Sequence, residues 1–144
     1  MAYTNPSVSD FKSYFNRDFP YGTDIDTSVT DGDITKAMEQ TFITINQAFF
    51  NSQQAYNVGY YLLSAHNLVM NLRASSQGIN GQASWLQQSH GAGSVNESFA
   101  IPQQILNNPL YSILTKTNYG MQYLNMVLPY LTGVVGWVPG RTLP

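Results

Sequence analysis

Few side chains in this sequence are able to do acid–base or metal chemistry. The foremost candidates are His66, His90, the aspartates Asp24, Asp26, Asp31 and Asp33, and Glu39. A general base needs an orienting carboxylate and a nucleophile or substrate proton within reach. His66 shares a mostly apolar helix face with Leu62 and Val69, and its neighbours Asn67, Met70 and Asn71 carry no charge. It reads as a buried histidine hydrogen-bonded to a neighbouring element. His90 lies in the glycine-rich run His90-Gly91-Ala92-Gly93 and has no partner at metal-ligand spacing. Two isolated histidines do not make a zinc site. The alternating aspartates suggest a calcium loop, but the register fails: Asp31-Gly32 falls out of step and position 37 is Ala37, not glutamate. The plainer reading is that Thr30 or Asp31 caps the following helix and Asp33 complements its dipole. Glu39, beside Lys36 and Ile43, reads as solvated. No G-x-S-x-G, P-loop or G-x-G-x-x-G is present, and there is no cysteine. No catalytic, cofactor-binding or metal-ligating residue is assigned, and the chain does not read as an enzyme.

The element around which the rest must be arranged is residues 52–75. It has no proline, a single glycine at Gly59, and apolar residues almost all the way round. Its polar residues Asn57, Ser64, Asn67 and Asn71 fall on one thin line. A helix with one narrow wet stripe is covered by neighbours on its other sides. If helical throughout, it is roughly 36 Å long. That is more apolar face than one short chain covers easily, which points to an oligomer.

Before it, residues 1–15 predict a short helix. Ser7 and Asp10 form a capping box, and Val8, Phe11, Tyr14 and Phe15 form an aromatic plug across the ends of longer helices. Residues 16–32 are a loop, marked by Phe19-Pro20-Tyr21-Gly22. Residues 33–50 predict a second helix whose stripe is Ile34, Met38, Phe42, Ile45 and Phe49. Asn51 or Ser52 then caps the central helix. Residues 74–93 lose the helical period. Val95, Phe99 and Ile101 alternate with Asn96 and Ser98, which predicts a strand, with a partner over 83–87. Asn108-Pro109 restarts a short helix. Met121, Leu124, Val127, Leu128 and Leu131 form a last stripe, which Pro129 should kink or end. The apolar, Gly- and Pro-rich segment 132–144 reads as an extended docking tail.

The totals agree with one folded domain. The chain has 144 residues, 43% of them hydrophobic. Charged residues make up only 10%, well below the usual level of about 25%, so few side chains solvate the surface. Such a surface suits a life inside an assembly. The net charge is −2 and the basic residues are scattered, which argues against sequence-specific nucleic-acid binding. The opening MAYTNPSVSDF reads as no signal peptide, and no apolar run is long enough for a membrane span. The expected fold is mainly α: a small helical bundle around a long central helix over 1–131, with a β-hairpin or extended excursion at 76–101, and the tail at 132–144.

The order of segments carries a resemblance. SDFKSYFNRDFPYG is followed by DGDITKAMEQTFITIN, then AYNVGYYLLSAHNLVMNL, then GAGSVNESFA, and finally TKTNYGMQYLNMV. Over residues 6–128 the chain resembles the head–tail connector (neck adaptor) family of tailed bacteriophages. The resemblance implies a non-enzymatic structural protein of the virion neck, made in the host cytoplasm and assembled as a ring, usually dodecameric, beneath the portal protein. The ring would extend the channel through which DNA passes without sequence recognition. It would also offer a surface to the next neck or tail protein, a stopper or tail terminator. By the same analogy, Trp85, Val95, Glu97 and Phe99 of the excursion contact neighbouring subunits or that next ring. Val134, Val135, Trp137, Val138, Arg141 and Leu143 of the tail dock on the portal. A competing reading is a small helical module that binds an apolar ligand among its tyrosines and phenylalanines, or a protein partner.

Overall fold

A computed structural model describes residues 2–76 and 107–136. Among them are five α-helices and no strand: α1 (Val8–Tyr14), α2 (Asp31–Thr44), α3 (Gln53–Ser76), α4 (Pro109–Leu114) and α5 (Asn118–Gly136). The protein is mainly helical, as its periodicity predicts. The strand expected at 95–101 and its partner over 83–87 lie outside the described residues.

Each early helix starts where its side chains supply a cap. The Ser7 hydroxyl accepts from the Asp10 N–H, and the Asp10 carboxylate accepts from the Ser7 N–H at 2.9 Å. That backbone bond, then the Ser7 hydroxyl, holds Asp10 below the usual carboxylate range. Thr30 and Asp33 repeat the arrangement at α2, so the cap is Thr30 rather than Asp31. Capping boxes satisfy two otherwise orphaned N–H groups reciprocally. At α3 the Ser52 hydroxyl accepts from the Ala55 N–H.

The second helix is shorter than the hydrophobic pattern implies. It ends at Thr44. Ile45 turns to extended backbone, and the Asn46 side chain accepts from Ala48 N–H to start a 3-10 turn over Gln47–Phe49. Its buried face is also rotated from the expected one: Ile34, Ala37, Met38 and Thr41 are buried, while Phe42 is 58% exposed. The reason lies on the facing helix. Thr41 Oγ1 accepts from Ser64 Oγ and from Asn67 Nδ2, both at 3.0 Å, and donates to the Ala37 carbonyl. Asn71 Nδ2 donates to Gln40 Oε1. The thin polar line of α3 is therefore not a wet stripe. Over Ser64, Asn67 and Asn71 it is a polar seam against α2, and matching that seam turns Thr41 inward and Phe42 outward.

The α1 plug forms at Phe11 and Phe15, while Tyr14 stacks on Tyr61 from an exposed position. Phe11 and Phe15 are buried, and Phe15 meets Tyr61 of α3 and Tyr119 of α5 edge-on. The preceding residues run along the start of α3: Tyr3 stacks on Tyr56, and Thr4 and Gln53 exchange two hydrogen bonds. Phe50 lies over Gly59, where a Cβ would stand 2.5 Å from its ring. All ten tyrosines of the chain fall within the described residues.

α5 runs antiparallel to α3. Its Gly120 sits at His66, its Tyr123 reaches Phe50, and its Tyr130 stacks on Phe49. The helix continues through Pro129 to Gly136, five positions past Leu131, the last residue of its apolar stripe. Proline in a helix removes the N–H that would bond the carbonyl four residues back. That carbonyl belongs to Asn125, and both Asn125 and Pro129 are exposed, so water can take the missing donor's place. Val134 and Val135 consequently belong to helical backbone, not to an extended segment.

Candidate assembly surfaces

The chemically capable residues separate into structural roles. His66 is buried on α3, and its Nδ1 lies 2.6 Å from Thr117 Oγ1. Thr117 Oγ1 also accepts from the Gly120 N–H at 2.9 Å, so the histidine holds the residue that caps α5. Burial alone pushes the imidazole down to about 4. The ring bonds a neighbouring element, as its sequence context predicts.

The aspartates do not converge. Asp24 accepts from the Asp26 N–H and the Thr27 hydroxyl, which hold its carboxyl below the usual range and close the loop tip on itself. Asp31 pairs with Lys12, whose ammonium lies 5.7 Å from the centre of the Tyr21 ring. Asp33 is in the α2 cap. Glu39 is exposed. No group of three or more metal-capable side chains gathers among the described residues. No helix among them is long and apolar enough to cross a membrane.

What the surface offers is apolar. Ile43 is 81% exposed beside Phe42 on the outer side of α2, and Ile25 is 79% exposed at the loop tip that Asp24 fixes. Tyr130 is exposed on α5 against half-buried Phe49. The pattern reading places Phe42 in the core stripe because it stands four positions after Met38, whereas the structure exposes it. The signal that would have found it is the pairing of polar positions: Thr41 on α2 against Ser64 and Asn67 on α3.

The residues assigned by resemblance to subunit or neck contacts, Trp85, Val95, Glu97 and Phe99, lie outside the described residues. So do Trp137, Val138, Arg141 and Leu143 of the tail. No protein-family model matches the chain, and neither a curated protein nor a solved structure does.

Proposed function

We propose that the protein is a head–tail connector of a tailed bacteriophage, a structural ring component seated between the portal and the next neck or tail protein. The observation that carries this reading is the ordered series of segments over residues 6–128 that resembles that family. Three features support it. Those of the segments that fall within the described residues belong to helices and their connecting loops, the expected class. Large apolar side chains stand exposed on α2 at Phe42 and Ile43, where a ring of identical subunits would cover them. A charged fraction of only 10% suits a surface that is mostly covered in an assembly.

In this reading the subunits form a closed ring of head-to-tail contacts, since rings arise from heterologous interfaces. The ring is dodecameric, lines the DNA channel without reading sequence, and works without chemistry. The segment carrying Trp85, Val95, Glu97 and Phe99 contacts neighbouring subunits or the downstream ring. The carboxy-terminal residues Val134, Val135, Trp137, Val138, Arg141 and Leu143 meet the portal, and the site of action is the virion neck.

Native mass spectrometry of the purified chain, alone and with portal complex, tests the proposal. A ring, or a monomer that saturates the portal at one copy per portal subunit, is the expected result. A monomer that ignores the portal overturns it.

A further inference from the structure

The contact between His66 and the start of α5 has the makings of a switch. Thr117 Oγ1 accepts the Gly120 N–H at 2.9 Å and lies 2.6 Å from His66 Nδ1. A hydroxyl has one proton, and we assign it to Nδ1, which makes the resting ring the neutral tautomer protonated at Nε2. A proton arriving at Nδ1 would turn that acceptor into a donor. The Thr117 hydroxyl proton would then need another acceptor, in a site where His66 is only 3% exposed. The new imidazolium would also stand at the amino terminus of α5, the positive end of its dipole. There is no slack to move away: a Cβ on Gly120 would already stand 2.7 Å from Nδ1 and would collide with the Leu114 carbonyl.

We propose that His66 is a proton-sensitive latch on α5, and that protonating its ring releases the Thr117 cap and lets α5 leave α3. The groups around it do not favour the cation. Burial lowers the ring's proton affinity, and no carboxylate among the described residues offsets it. On the α5 side the titratable residues are exposed Lys116, Tyr119, which donates its hydroxyl to Asp18, and buried Tyr123. α4 contributes Tyr111, and α2 turns uncharged Gln40 and Thr41 toward α3. The sign follows. Once α5 is undocked, His66 takes up a proton near its ordinary value of about 6.5, whereas docked it resists until about 4. Undocking therefore binds a proton across that window, and its equilibrium constant rises by up to about tenfold for each pH unit lost.

Amide hydrogen exchange on the full chain, expressed as protection against the intrinsic rate at each pH, reads this directly. Protection at Met121, Leu124 and Val127 should fall about tenfold per unit between about pH 6.5 and 5, relative to Ile34 and Met38 of α2. His66→Asn can keep an acceptor for Thr117 but cannot titrate, and its α5 protection should be flat. Equal slopes in the two proteins, or a flat wild type, overturn the latch. Should His66→Asn fail to fold, the wild-type imidazole titration followed by NMR still decides. A midpoint well below 6 supports the latch, and one at the ordinary value overturns it.

Discussion

Thr41 and Ser64 share a 3.0 Å hydrogen bond in the α2–α3 contact, and neither side chain reaches solvent. Thr41→Val keeps the shape and removes the acceptor on which Ser64 and Asn67 both rely. Leaving buried donors unpaired costs about 1–3 kcal/mol each, so the variant should lose stability on that order in urea unfolding. Adding Ser64→Ala removes one stranded donor. The double variant should therefore be less destabilised than the sum of the singles, and strict additivity would mean that the two hydroxyls act independently.

Two glycines should respond differently to the same methyl. At Gly59 the added carbon meets the Phe50 ring, a side chain, and overpacking of this sort costs about 1–3 kcal/mol. Phe50→Leu in the Gly59→Ala background should recover part of the loss. At Gly120 the methyl meets the backbone carbonyl of Leu114, which no side-chain change can relieve. Thermal unfolding by circular dichroism should rank Gly120→Ala below Gly59→Ala, with no rescue from trimming side chains.

Phe42 and Ile43 contribute exposed surface rather than core. Phe42→Ser and Ile43→Ser should leave monomer stability within about 0.5 kcal/mol, whereas Phe11→Ala should cost about 3–5 kcal/mol. If the connector reading holds, the same two surface changes should reduce ring formation or portal loading in native mass spectra. A large loss of stability from Ile43→Ser would contradict its exposure.

The tyrosines set the alkaline limit. Burial, with a smaller contribution from Tyr56, pushes Tyr60 up to about 12, and its hydroxyl donates to the Met38 carbonyl. A raised acid is neutral in the folded chain after the unfolded chain has ionised. Its stabilisation is complete below about pH 10 and is lost as pH rises toward 12. Tyrosinate absorbance should rise with unfolding in that window. Tyr60→Phe should cost about 1 kcal/mol at neutral pH and lessen the alkaline slope. An unchanged slope would remove Tyr60 from this role.

The sequence makes local features legible and tertiary ones only in part. Ser7 with Asp10, Thr30 with Asp33, and Ser52 are readable because a cap and its N–H groups are three residues apart. The α1 plug is readable at Phe11 and Phe15, which lie four residues apart on one face of a capped helix and are both buried. Phe42 is misplaced because the rotation of α2 is set by Thr41 pairing with Ser64 and Asn67, more than twenty positions away. Pro129 reads as a kink or a stop because proline removes a helix bond, but whether that loss matters depends on the exposure of Asn125, a property of the whole fold. Phe42 and Ile43 follow from Thr41: once the seam sets the rotation of α2, those two side chains have to face outward.

The placement of the aromatic residues divides the chain into two optical compartments. Every tyrosine belongs to the described helical body or its bounding loops, while Trp85 and Trp137 belong to the two segments read here as contact arms. Indole emission therefore reports on the arms, and phenol absorbance reports on the body, in the unaltered protein. A partner that engages only an arm would change the colour of the indole signal and leave the phenol spectrum untouched.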